Sequence, residues 1–106
     1  MDLVEEISEH ECFGYSKVIL RGNIQYELRT FAERRGKDYE GSQTVLNANR
    51  RVMRKFFVPT GDATQAREAI KKLHDSTSEK LRGLAEQGGL VPETFFYTPP
   101  VLRVKL

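Results

Sequence analysis

The sequence predicts an α+β fold: an N-terminal β-hairpin and a C-terminal strand packed against two amphipathic helices, at about 43–57 and 63–87. Three observations carry this. Apolar residues fall on every second position after Gly22-Asn23, they recur at helical spacing on both sides of Pro59, and a proline-rich extended stretch follows Gly88-Gly89. The 106 residues are expected to form a single domain spanning 1–106, with an acidic segment 1–11 and an extended segment 90–106 at its ends. A domain of this length buries roughly two thirds of its unfolded surface around one core.

The first segment reads in two ways. Asp2 followed by Leu3, Val4 and Ile7 suits a short acidic helix capped by Asp2, and it equally suits a loose tail. From Tyr15 the pattern changes. Lys17 to Arg21, Gly22-Asn23 and Ile24 to Thr30 read as strand, turn and strand, with Ile24, Tyr26 and Leu28 on one face and Gln25, Glu27 and Arg29 on the other. The competing reading makes Asn23 a cap and Ile24, Leu28 and Phe31 a helical stripe. Residues 32–41, with two glycines and many charges, read as a loop or a frayed helix end.

Over 43–57, with Ser42 as cap, a helical projection gathers Val45, Leu46, Val52, Met53, Phe56 and Phe57 on one arc. Asn47, Arg50, Arg51, Arg54 and Lys55 occupy the other. Asn49 then projects into the apolar arc, where a buried amide needs hydrogen-bond partners. Pro59 and Gly61 end this element. Asp62 caps the next, with Gln65 placed for a capping box, and the stripe Ala66, Ala69, Ile70, Leu73, Thr77, Leu81, Leu84 runs to Gly88-Gly89. Beyond it, Phe95 to Tyr97 and Val101 to Leu106 read as extended pieces divided by Pro99-Pro100.

The net charge of +2 is unevenly spread. Residues 1–11 sum to −5, residues 12–61 to +6 and residues 62–106 to +1, and no acid occurs between Glu40 and Asp62. An acidic start without Lys or Arg is the opposite of a secretory or mitochondrial leader. The lone Cys12 suits a reducing compartment, so a cytoplasmic setting is expected. No apolar run approaches the ~20 residues that span a bilayer, so no membrane partner is expected.

Catalytic chemistry is not signalled. His10 and His74 stand in no recognisable triad, and His74 at the edge of the long helix's stripe reads as a packed or half-exposed side chain. His10, Glu11 and Cys12 are adjacent, whereas metal sites use separated ligands, and no glycine-rich phosphate loop is present. No enzyme activity, cofactor or metal is therefore expected.

The basic face is the functional signal: Asn47, Arg50, Arg51, Arg54 and Lys55, extended by Arg34, Arg35 and Lys37. Three sources of countercharge are open. Water alone can solvate the cations, the acidic segment with Glu5, Glu6 and Glu9 can fold over them within one chain or across a homodimer, or phosphates can bind them. A helix-turn-helix lacks its first helix here, and "ECFGYSKVIL" lacks the residue order of an RNA-recognition strand. The two ends offer arms for a partner through Glu5, Glu6, Glu9, Phe95, Phe96, Tyr97 and Leu106. The expectation is a non-catalytic binding protein acting on another protein as inhibitor, adaptor or assembly subunit. The alternative is a nucleic-acid-binding protein that uses a basic helix at 47–57.

Overall fold

The computed structural model describes residues 2–8, 12–87, 91–92 and 95–96. Five strands precede one helix: β1 (Asp2–Ser8), β2 (Cys12–Arg21), β3 (Ile24–Arg35), β4 (Asp38–Asn47), β5 (Arg50–Val58) and α1 (Ala63–Glu86). The strands form an antiparallel meander in the order β1-β2-β3-β4-β5, with α1 laid across one face. The architecture is α+β, as expected, with one helix rather than two.

The predicted hairpin is present and longer than the alternation suggested. Arg21 pairs with Ile24 around the two-residue Gly22-Asn23 turn, where Gly22 adopts φ 61°. Glycine reaches that left-handed conformation without a Cβ penalty. The expected loop at 32–41 is instead strand on both sides of a second tight turn, Gly36-Lys37, with Gly36 at φ 62° and Arg35 paired with Asp38. Two glycines and a charge run looked like a loop because the charged side chains of this hairpin lie near its open end.

The helix predicted at 43–57 does not form. Residues 38–47 are β4, Ala48-Asn49 is the turn, and residues 50–58 are β5, with Val45 opposite Val52 and Asn47 opposite Arg50. Period two sends Gln43, Val45, Asn47, Val52, Arg54, Phe56 and Val58 toward α1 and Thr44, Leu46, Arg51, Met53, Lys55 and Phe57 away from it. Three inward positions are polar or charged, so the apolar alternation that marks a strand was broken. A helical arc then fitted the remainder by coincidence. Asn49, projected into a buried arc, is an exposed turn residue.

Segment 1–11 is also corrected. Its residues 2–8 are neither helix nor tail but an edge strand, paired with β2 from Asp2 opposite Lys17 to Glu5 opposite Gly14, with an irregularity before Ser8. Strand order separates it from β5 by three strands, so β1 does not lie over the basic stretch.

Helix α1 matches its predicted bounds within a residue. Its N-cap Asp62 accepts the Gln65 N–H at 2.9 Å. The capping box closes through a relay: the Asp62 N–H donates to Thr60 Oγ1 at 3.1 Å, and that hydroxyl donates to Gln65 Oε1 at 2.9 Å. Twenty-four residues at about 1.5 Å each make a rod of about 36 Å, long enough to touch two separate apolar clusters. Ala66 and Ile70 pack on Phe13, Tyr15, Ala32, Tyr39, Phe56 and Val58. Leu81 and Ala85 pack on Ile19, Tyr26, Leu28, Val45 and Val52, joined by Val91. The expected C-terminal extended piece Val101 to Leu106 lies outside the described residues. Phe95 and Phe96, expected to be extended, form a turn in which the Phe95 N–H reaches the Pro92 carbonyl at 3.0 Å.

Candidate interaction face

Between the two apolar clusters the sheet and helix meet through polar side chains. Gln43, fully buried, donates from Nε2 to Thr30 Oγ1 at 3.1 Å and to Thr77 Oγ1 at 3.2 Å. Its Oε1 accepts Arg54 Nε at 2.9 Å and Nη2 at 2.7 Å. Thr30 Oγ1 lies 2.8 Å from Nδ1 of His74, which is buried and so takes the packed of the two settings that the sequence allowed. The Thr77 and Ser78 hydroxyls turn back onto the Leu73 and His74 carbonyls, which explains helix-poor residues in mid-helix. Gln43 thus spends both amide protons and its carbonyl on neighbours, and the belt locks the sheet to the helix.

Four members of the expected basic face stand on the helix side of the sheet, with Asn47 buried, Arg34 and Arg54 half-buried and Arg50 exposed. The Asn47 side chain donates to the Gln25 carbonyl at 3.0 Å and accepts the Val91 N–H at 3.4 Å, while Arg50 donates to the Val91 carbonyl at 2.9 Å. Both polar groups of one backbone unit are therefore clamped. Arg54 sits 4.7 Å from the centre of the Phe96 ring, and burial lowers its pKa from the ordinary arginine value. Arg34 donates to the Tyr39 hydroxyl and the Gly61 carbonyl, both at 2.9 Å, and lies over the Tyr39 ring. Carbonyl oxygens and ring faces thus engage all three of these guanidinium groups.

The other four expected residues are on the outside and are not gathered into one patch. Arg35 pairs with Glu33 at 2.8 Å and with Glu40 at 3.1 Å, and Lys37 is exposed in its turn. Arg51 and Lys55 stand on the face of β5 turned from the helix and make no ion pair among the described residues. Of the expected arms, Phe95 and Phe96 pack on the second apolar cluster, with ring centroids 5.1 Å apart. Glu5 and Glu6 fall within β1. Glu9, Tyr97 and Leu106 lie outside the described residues.

What the sequence reading missed is the far side of the sheet. Among the described residues, every large apolar side chain that stays exposed is there: Leu20 at 67%, Met53 at 49%, Val18 at 43% and Phe31 at 36%. No described element covers this face. Charges are interleaved, with Arg29 on Glu27 at 2.9 Å and Arg35 on its two glutamates. A shallow hollow lies at its centre, between Phe31, Glu33, Arg35, Glu40, Ser42 and Lys55. Gly41 lies beside it because a Cβ there would stand 1.9 Å from the Phe31 carbonyl oxygen, an impossible approach for any other residue. One signal was available: the run Val18-Ile19-Leu20 is apolar at consecutive positions, which in a strand places apolar groups on both faces.

Among the described residues no cluster of His, Cys, Asp or Glu is arranged to hold a metal ion, and no helix is long and apolar enough to cross a membrane. Comparison with protein-family models, with curated protein sequences and with solved structures gives no match. Function is therefore argued from the surface alone.

Proposed function

We propose that this chain is a non-catalytic binding protein that docks on another protein through the open face of its sheet. The observation that carries the reading is the confinement of Val18, Leu20, Phe31 and Met53, the four exposed large apolar side chains among the described residues, to that one face. Single apolar residues are normal on any surface, whereas several on one uncovered sheet face, here interleaved with charged pairs, favour an interaction site. Composition agrees: aromatic residues, Met and Arg are enriched in protein interfaces, and this face presents Phe31, Met53, Arg29 and Arg51. Docking would bury these side chains together with the Arg29–Glu27 and Arg35–Glu33 pairs that the central strand β3 sets among them.

The test is capture of partners by the intact chain and by two variants, Phe31→Asp on the face and Lys72→Glu on the solvent side of α1. Phe31→Asp is expected to weaken capture more than tenfold, as loss of a central anchor of roughly 2 kcal/mol would, and Lys72→Glu to leave it unchanged. Capture that ignores Phe31→Asp overturns the reading. Salt-sensitive binding to a generic duplex, lost in Arg51→Glu and Lys55→Glu but retained in Phe31→Asp, would replace it with nucleic-acid recognition.

A further inference from the structure

We infer that the free edge of β5 is a strand-addition site for an extended acidic segment of another protein. The edge borders the open face, so the inference goes beyond the docking reading above and does not depend on it.

β5 ends the sheet, and no described strand lies beyond it. Its register with β4 fixes which backbone groups are left over. The hairpin closes on Asn47 and Arg50 around the two-residue turn Ala48-Asn49, and such a closing pair exchanges both of its hydrogen bonds. Every second pair does the same, so Val52, Arg54, Phe56 and Val58 also direct their N–H and C=O groups to β4. The N–H and C=O groups of Arg51, Met53, Lys55 and Phe57 point the other way, along the edge. Four donors and four acceptors are thereby arrayed on a strand of nine residues, about 30 Å, with no proline and no break in register.

Edge strands are guarded against unwanted pairing by bulges, prolines, short length or charge. The opposite edge, β1, has a register irregularity between Glu5 and Ser8. β5 has only charge: Arg50, Arg51, Arg54 and Lys55, with no acid among them. A row of cations turns away a basic strand and is matched by an acidic one, so the guard is also a filter.

The cations are not equivalent. Arg54 is committed to Gln43 and Arg50 to the Val91 carbonyl, both on the helix side. Arg51 and Lys55 are exposed on the open face, without an ion pair among the described residues, and alternate there with Met53 and Phe57. An added strand therefore meets cation, apolar, cation, apolar at every second residue. The matching segment carries acids four residues apart with an apolar residue midway between them. Its backbone supplies the attachment, and these side chains supply the selection.

Nuclear magnetic resonance of the full chain tests this with two peptides of about eight residues. In one, threonine alternates with glutamate and valine in turn, and in the other lysine replaces glutamate. In the chain alone, the amides of Arg51, Met53, Lys55 and Phe57 are expected to exchange rapidly and those of Val52, Arg54 and Phe56 slowly. The glutamate peptide is expected to protect the first set. The lysine peptide, or Arg51→Glu with Lys55→Glu in the chain, is expected to weaken binding more than tenfold. N-methylation of the glutamate peptide at alternate nitrogens is expected to weaken binding roughly fivefold or more in one phase and to leave it unchanged in the other, because one set of its N–H groups faces β5. Met53→Pro removes an edge N–H that β4 does not use and is expected to weaken binding similarly. Should that variant fail to fold, the N-methylated peptides carry the same test. Phe31→Asp, two strands away, is expected to change nothing.

Protection of Arg51, Met53, Lys55 and Phe57 in the chain alone would mean that the edge is already filled, and it overturns the inference. So does a glutamate peptide that binds no better than the lysine peptide, or one that ignores N-methylation in both phases and is held by charge alone. A peptide released by Phe31→Asp sits on the open face, which overturns the edge site and supports the docking reading. If the peptide fails to bind while Phe31→Asp abolishes capture of a partner, the edge site fails and the docking reading stands. If the peptide binds as expected while capture ignores Phe31→Asp, the edge site stands and the docking reading fails.

Discussion

Replacing Gln43 by leucine keeps most of the side chain's volume and removes every polar atom that Thr30, Thr77 and Arg54 use. The arginine would suffer most, since it is partly buried and both of its described hydrogen bonds go to Gln43 Oε1. Leaving buried partners unsatisfied costs about 1–3 kcal/mol for a neutral group and more for a charged one. Gln43→Leu is therefore expected to destabilise the fold by about 3 kcal/mol in urea denaturation, although it increases apolar content. A loss below about 1 kcal/mol would mean that the belt is not a coupled network. Gly41 makes a harder demand, because the atom that an added Cβ would meet at 1.9 Å is backbone and cannot rotate away. Gly41→Ala is expected to abolish folding or to cost at least about 3 kcal/mol, with the far-ultraviolet spectrum and thermal midpoint as readout. Neither demand was legible in the sequence: an inward glutamine and a mid-strand glycine gain meaning only from neighbours supplied by other strands.

At the scale of elements, the parts read correctly are those whose local cues agree with one another. Gly22-Asn23 between alternating segments and Asp62 ahead of a long apolar stripe each combine a start or turn signal with one period. The stretch 43–57 lacks that agreement. Its inward Gln43, Asn47 and Arg54 break period two, and the turn between its strands is Ala48-Asn49, without a glycine. The open face escaped notice for a related reason: Met53 and Phe57 had been assigned to the apolar side of a helix that does not exist. Ala48 also provides a test by sign. It adopts φ 54°, a left-handed conformation that costs a residue with a Cβ roughly 1 kcal/mol. Ala48→Gly is thus expected to stabilise the protein by up to about 1 kcal/mol. In the helix interior that the sequence suggested, the same change would destabilise by about as much, so thermal denaturation of one variant distinguishes hairpin from helix.

The described molecule is two apolar clusters joined by a polar belt and bridged by one helix, and the described residues after α1 complete one of them. Val91 is fully buried in the cluster of Ile19, Tyr26, Leu28, Val45 and Leu81, and Phe95 and Phe96 pack against it. Val91 also receives Asn47 and Arg50, and Phe96 lies beneath Arg54. Ending the chain at Gln87 would uncover that cluster and leave two inward-facing arginines without those partners. Burial of one Val side chain contributes about 1.5–3 kcal/mol, and the two half-buried rings add to it, so a loss of about 3–5 kcal/mol is expected. The loss should be lopsided. The cluster around Phe13, Tyr39 and Ile70 lies beyond the belt and keeps all its described contacts, so amide exchange should accelerate at Ile19, Tyr26 and Val52 well before it does at Phe13, Ala32 and Val58. Equal acceleration at both ends would mean that the belt couples the clusters into one cooperative unit, and the Gln43→Leu variant would then be expected to restore the difference between them.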